Sequence, residues 1–245
     1  MKKLKETENS MIEMKNVSYS IEEGGKKRTL LKNITGSLEK GKISIISGPS
    51  GSGKTTLLYA IAGLLDDVEG SIVVDGTDIT GLSSRKKNDY RLNNMSLIFQ
   101  NLNLFSFMNV EDNILVPLYL TGKGIDKEVK ERIKYYLDLM KLGQIQDKSI
   151  QTLSGGEQQR VAIIRALIGH PKVILCDEPT ASLDSENVAL FMETLENIRK
   201  EMDSTFVIVT HDSRVLCHGD HKITIVDGEL HEEQREQPVF DARTV

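Results

Sequence analysis

The chain has 245 residues, 39% hydrophobic and 27% charged, with a formal net charge of −5. That length accommodates one α/β domain with an appended subdomain, and the composition excludes a fibrous or wholly disordered chain. The acidic balance argues against a broadly basic nucleic-acid surface, although a local positive pocket for phosphates fits inside an acidic protein.

Residues 1–10 are polar, lack the apolar stretch of a signal peptide, and read as a loose lead-in. Residues 11–21 alternate toward a strand. Residues 22–28 form a charged turn with Gly24 and Gly25, and residues 30–38 resume the apolar pattern, which predicts an N-terminal antiparallel β-layer. Residues 42–47 are a short strand run, followed by a glycine-rich turn and a helix carrying Leu57, Leu58, Ile61, Ala62 and Leu65. Residues 71–74 and 95–99 read as further strands. Helical spacing at 110–120 and 127–140 makes the middle third, 100–152, a helical insertion between a first section, 11–99, and a last, 153–230.

A helix returns from Leu153, and strands at 173–176 and 205–209, separated by a helix over 185–201, imply a parallel sheet. Residues 223–226 form the last strand, ended by Asp227 and Gly228, and the tail, 231–245, is polar. Cys176 and Cys217 sit in apolar runs that read as core, which favours a reducing compartment, the cytoplasm. No run approaches the roughly 18 consecutive apolar residues of a spanning helix, so a membrane role needs another polypeptide. There is no internal repeat.

Three segments carry chemistry. Gly48, Pro49, Ser50, Gly51, Ser52, Gly53, Lys54 and Thr55 match the phosphate-loop pattern between a strand and a helix. Glycines let backbone N–H groups close around phosphate oxygens, and the helix starting near Lys54 directs its positive end at them. Lys54 adds a full charge and packs nothing in the core, Thr55 offers a hydroxyl to Mg²⁺, and Thr56 completes the set. A glycine-rich turn with a chance lysine is the plainer alternative, and the flanking strand and helix argue against it.

Residues 173–178 are an apolar strand ending in two carboxylates whose side chains point apart. Asp177 suits a Mg²⁺ shell, and Glu178, past the strand end, suits a general base that polarises water at a γ-phosphate. Ser154 and Glu157 form a capping box at a helix start, where Gly155 and Gly156 leave the backbone bare for an anion.

Residues 153–160, LSGGEQQR, resemble the signature of the ATP-binding-cassette (ABC) family. Its other marks follow in order: Gln100 after a strand, then Ser182, Leu183 and Asp184 after the carboxylates, then His211 after a strand. The resemblance spans about residues 11–230. It implies a single α/β domain: a P-loop NTPase core with a parallel sheet, an N-terminal antiparallel β-layer and an inserted helical subdomain. It also implies ATP hydrolysis with ATP and Mg²⁺, Glu178, His211 and Gln100 catalytic, and Thr55, Gln100 and Asp177 around the metal. His211 would hold the γ-phosphate and Tyr19 would stack on adenine, although a lone Tyr in a strand otherwise packs and a lone His is otherwise structural.

In the family, the signature helix of one subunit caps ATP held by another. Ser154, Gly155, Gly156, Glu157 and Asp184 would therefore line the seam of a head-to-tail homodimer or heterodimer. A transmembrane ABC permease subunit is the implied partner, with the chain peripheral on the inner face of the membrane. Leu102, Leu104, Phe105 and Phe107 mark the expected dock, within 101–147.

Residues 153–167 and 99–118 resemble the lipoprotein-release, macrolide-export and bacitracin-resistance branch, which implies export or extraction of a peptide, antibiotic or lipid-linked substrate. Methionine-type importers are also similar, and an ATP-gated regulatory or scaffold subunit of a membrane complex is a further reading. Ile164 and Cys176 stand where those relatives more often carry alanine. Only residues 101–153 separate Gln100 from Ser154, without sustained heptads, which excludes the coiled-coil ATPases of DNA repair. A single phosphate loop excludes a two-cassette translation factor.

Overall fold

The computed structural model describes residues 9–181 and 183–232; the expectations for the N-terminal lead-in before Asn9, for Ser182 and for the tail beyond Glu232 lie outside them. Strands β1 (Ser10–Glu23) and β2 (Lys26–Glu39) form a long antiparallel hairpin. Gly24 and Gly25 alone make its turn, with φ of 59° and 74°. Positive φ at both central residues is what a two-residue primed turn requires. The turn is therefore shorter than the expected 22–28 segment, because the charged residues pair across the strands, Glu22 with Lys27 and Glu23 with Lys26. Strand β1 also pairs with β4 (Glu69–Val74), which turns back as β5 (Thr77–Asp78), giving a four-stranded sheet ordered β2-β1-β4-β5.

The second sheet holds parallel strands β3 (Ile43–Ser47), β6 (Met95–Ile98), β7 (Val173–Asp177), β8 (Thr205–Val209) and β9 (His221–Val226) in the order β9-β3-β8-β7-β6. A tenth strand, β10 (Glu229–Glu232), pairs antiparallel with β9 through the Asp227–Gly228 turn, so β9 is not the last strand. The short polar Glu-Leu-His-Glu segment earns its place at the sheet edge through backbone pairing rather than apolar alternation.

Both faces of the parallel sheet are covered, which explains its near-continuous apolar runs. On one face Ile46, Val173, Leu175, Val207 and Val209 pack against α1 (Lys54–Ile61) and the antiparallel layer. On the other, Ile43, Ile45, Ile174, Cys176, Phe206 and Ile208 pack with α3 (Val110–Thr121), α4 (Lys127–Leu139), α5 (Gly155–Leu167) and α6 (Ser185–Met202). Helix α1 stops at Ile61, so Leu65 lies outside it.

Two helices lack an apolar signal. Helix α2 (Ser84–Asn94) is polar, with Lys87 its buried residue, and holds on through Tyr90, which packs on the core and donates to the Val74 carbonyl at 2.6 Å, and through cations that reach the end of α1 and the turn beyond it. The Arg91 guanidinium donates to the carbonyls of Ala62 and Gly63 at 3.1 and 3.3 Å, and the Lys87 ammonium donates to Leu65 at 3.2 Å. Helix α7 (Ser213–Leu216) is one turn long, buries Val215 fully and packs Leu216 partly against the same core. Cys217, which follows it, is exposed rather than part of the core; Cys176 is fully buried, and burial pushes its thiol well above the ordinary range.

Candidate functional site

Four neighbouring parallel strands end on the same edge of the sheet. Strand β3 feeds the phosphate loop, β8 feeds Thr210 and His211, β7 ends in Asp177 and Glu178, and β6 leads to Phe99 and Gln100. The register levels them: Ile46 and Asp177 both pair with Val209. The next residues stay locked, since the Glu178 N–H donates to Val209 at 2.9 Å and the Thr210 N–H donates to Ile46 at 3.1 Å.

Gly48 opens the loop with φ of 141°, and a Cβ there would lie 2.1 Å from the Ile225 carbonyl oxygen. No other residue fits so close a backbone approach. The Lys54 side chain is buried, contrary to the expectation that it stands clear of the packed interior. Its ammonium curls over its own loop and donates to the Gly48 and Pro49 carbonyls at 2.9 and 2.8 Å. No carboxylate pairs with it among the described residues. A buried cation held only by carbonyls is a standing site for an anion. Ser52 beside it is buried with a hydroxyl that finds no partner.

Strand alternation puts Asp177 on the same face as Val173 and Leu175, toward α1, and Cys176 on the opposite face. There the Thr55 hydroxyl donates to Asp177 Oδ1 at 2.8 Å and the Tyr59 hydroxyl to Oδ2 at 3.2 Å. Burial, then the neighbouring Asp177 charge, raises the Tyr59 phenol above its ordinary value, so it remains a proton donor. Thr55 and Asp177 offer hard oxygen donors. Among the described residues there is no cluster of three or more His, Cys, Asp and Glu that would cage a metal. Such a sparse donor set fits Mg²⁺, which keeps most of its shell in water and phosphate oxygens.

Glu178 leaves the strand with φ of 46°, a left-handed backbone that a non-glycine residue adopts at a cost of about 1–2 kcal/mol. Its carboxylate, mostly buried, accepts from the Thr210 hydroxyl at 3.1 Å and contacts His211 Nδ1 at 2.8 Å. A carboxylate oxygen accepts, so this hydrogen bond is one in which the Nδ1 of the exposed His211 ring donates. Strain and two hydrogen bonds fix the carboxylate in one direction.

The sequence-predicted residues do not all converge. Gln100 is exposed at the end of β6. Tyr19 is half-buried and packs on the core of the antiparallel layer, one strand removed from the loop: it pairs with Leu31, whose side chain abuts Gly53. Ser154 and Glu157 satisfy each other as a capping box, the carboxylate accepting from the Ser154 N–H at 2.8 Å and holding its own pKa down through the Ser154 hydroxyl and N–H. Gly155 faces open space. Asp184 caps α6, accepting from the Asn187 N–H at 2.8 Å, which chiefly lowers its pKa.

Several residues that hold this edge together belong to no motif. Asn187 donates its side-chain amide to Asp184 and accepts from Arg160 of the signature helix. Arg214 reaches the Leu183 carbonyl and Ser185, and clamps Asp212, which also accepts from the Thr180 hydroxyl at 3.0 Å. The Asp212–Arg214 pair thus ties the segment after His211 to the segment around Asp184. Polar residues at helix starts would have hinted at Asp212 and Asn187, whereas Tyr59 was findable only as a hydroxyl one helical turn beyond Thr55.

Residues 31–181 match the family model described as ABC transporter. The ABC transporter ATP-binding protein YtrE of Bacillus subtilis is 40% identical over 90% of this chain and 96% of its own length. A lipoprotein-releasing system ATP-binding protein, LolD 1 of Chlorobium chlorochromatii, is 35% identical over 83% of each chain. The methionine import ATP-binding protein MetN of Vibrio vulnificus is 38% identical over 89% of this chain, which spans 63% of that relative. Among solved structures, the dimeric ABC transporter cassette MJ0796 superposes with a TM-score of 0.85 at 33% identity, covering 93% of this chain and 99% of that one; a second structure of it holds ADP and phosphate after hydrolysis.

The Arg214 guanidinium foremost, with the Arg214 N–H and the Thr180 hydroxyl, lowers the Asp212 pKa to about 2. A folded-state pKa below the unfolded value of about 3.9 stabilises above that value, and the contribution fades as pH falls toward 2. Asp212→Asn should therefore lower the urea midpoint at neutral pH, with the gap to wild type closing between about pH 4 and pH 2. Equal midpoints at neutral pH would contradict this role for the clamp.

Proposed function

The chain belongs to the ABC transporter family as an ATP-binding, ATP-hydrolysing subunit, and from that premise we propose that it powers export or extraction of a peptide, antibiotic or lipid-linked substrate through a separate membrane subunit. Similarity to the lipoprotein-releasing LolD 1 supports this direction; similarity to MetN supports import as the second reading. Among the described residues no helix is long and apolar enough to cross a membrane, so passage would need another polypeptide.

One observation carries the catalytic reading: four parallel strands deliver the phosphate loop, the two carboxylates, Thr210 with His211, and Gln100 to one sheet edge. On ATP binding, Lys54 exchanges its two carbonyls for β- and γ-phosphate oxygens while loop N–H groups close around them. Thr55 and Asp177 would hold Mg²⁺, which when bound neutralises charge on the phosphates. Glu178 takes a proton from the attacking water, His211 orients that carboxylate and faces the γ-phosphate, and Gln100 approaches from β6. Tyr19 supplies the aromatic surface for adenine.

The exposed start of α5 is the second half of a site. Ser154 and Glu157 bond each other rather than the phosphate loop, and the bare Gly155 turn would cap ATP held by a second copy or a related cassette, with Asp184 at the seam. The dimeric MJ0796 cassette supports this arrangement.

A groove of about 430 Å³, lined by Leu92, Leu97, Phe99, Phe105, Val116 and Leu120, lies apart from the phosphate loop. Beside it Phe107 is 80% exposed and Leu120 66%, and the Phe105 and Phe107 rings meet edge to face. Buried Asn113 grips the Phe105 backbone through both N–H and C=O, holding the pair in place. Leu104 instead packs on the core. This groove is the proposed dock for an apolar segment of the membrane subunit.

Lys54→Ala should lose ATP binding at micromolar nucleotide, and Ser154→Arg should bind ATP yet fail to hydrolyse it. Calorimetric titration with ATP and phosphate release separate the two; unchanged affinity in the first, or normal turnover in the second, would remove the phosphate-loop or the composite-site assignment. Phe107→Asp should leave nucleotide affinity unchanged and abolish co-purification with the membrane subunit; intact co-purification places the dock elsewhere.

A further inference from the structure

Tyr59 lies on α1 one turn beyond Thr55, so the two hydroxyls share a helix face. They converge on one carboxylate from opposite sides, Thr55 on Oδ1 and Tyr59 on Oδ2. The Tyr59 ring also meets Phe99 edge to face, with centroids 6.2 Å apart and planes at 68°. Phe99 immediately precedes Gln100. A single half-buried side chain therefore touches both the carboxylate at the end of β7 and the exit from β6.

We propose that Tyr59 is a positioning residue: its hydroxyl fixes the plane of the Asp177 carboxylate for a divalent cation, and its ring ties that carboxylate to the segment carrying Gln100. The inference rests on the reading that Asp177 serves the cation of MgATP. A carboxylate engaged at one oxygen only rotates about its terminal torsion, which is broad and soft. With Oδ2 held by Tyr59, Oδ1 stays toward Thr55, and the pair of hard oxygens is set before a cation arrives. Losing such an outer partner of a metal-binding group typically costs 10–100-fold in metal affinity. If the hydroxyl were incidental, the ring alone would satisfy the site, because Tyr59 also packs against the hydrophobic core through its apolar body.

Tyr59→Phe keeps the ring and removes the hydroxyl; Tyr59→Leu removes both. The experiment titrates ATP into the full-length chain by calorimetry, first in EDTA and then at stepped Mg²⁺ concentrations. Tyr59→Phe should bind metal-free ATP as wild type does and need roughly tenfold more Mg²⁺ to reach half of the Mg²⁺-dependent tightening. Amide hydrogen exchange at residues 99–102 should be faster in Tyr59→Leu and unchanged in Tyr59→Phe. An unshifted Mg²⁺ midpoint in Tyr59→Phe overturns the positioning role, and unshifted exchange in Tyr59→Leu overturns the tie. Asp177→Asn separates the two levels: if it too leaves the Mg²⁺ midpoint in place, the reading of Asp177 fails, whereas a shift in Asp177→Asn alone fails only the role of Tyr59.

Discussion

Parallel pairing of β3, β8 and β7 is the constraint on which the rest of the molecule depends. Ile46, Val209 and Asp177 sit on one level; Glu178, Thr210 and His211 follow within two residues of it, and the phosphate loop springs from the end of β3. A slip of one residue in β7 would turn Asp177 to the face now occupied by Cys176, away from Thr55 and Tyr59. That face is filled by Ile174, Phe206 and Ile208, so a carboxylate there would be buried without a partner. The apolar alternation that covers both faces of the sheet thereby fixes the aim of the carboxylate.

The edge built on this register is under electrostatic tension. Lys54 is a buried cation held by carbonyls, and Glu178 is a mostly buried carboxylate on a left-handed backbone, held by Thr210 and His211. In the proposed function a triphosphate relieves the first and gives the second something to act on. Around them, Arg214 and Asp212 join the His211 segment to the start of α6, and Asn187 joins α6 to the signature helix. The surface proposed to face another cassette is thus bonded to the surface proposed to hold ATP.

Most of this architecture was legible because its signals are local. The phosphate loop, the VILCDE strand and the Ser154 capping box each declare themselves in a few residues, and all three stand where expected. What escaped carries no apolar periodicity of its own. Helix α2 carries no apolar stripe, since Tyr90, Arg91 and Lys87 attach it to Val74 and to the carbonyls just after α1. Strand β10 is polar and owes its place to the Asp227–Gly228 turn. Cys217 read as core because Val215 and Leu216 precede it, yet a single helical turn buries only Val215 fully. Burial of Lys54 and the hydroxyl of Tyr59 follow from the sheet's order, which periodicity cannot supply.

In the proposed mechanism ATP is held between two cassettes and is cleaved with Glu178 as the base. Glu178→Gln tests it most directly, because the amide keeps the shape of the side chain and cannot take a proton. Size-exclusion chromatography with Mg²⁺ and ATP, with ADP as control, should show the mutant as an ATP-dependent dimer and the wild type mostly monomeric after turnover. Phosphate release should fall by about two to four orders of magnitude. Hydrolysis at the wild-type rate would contradict the role of Glu178, and an inactive mutant that stays monomeric at saturating ATP would contradict the shared site.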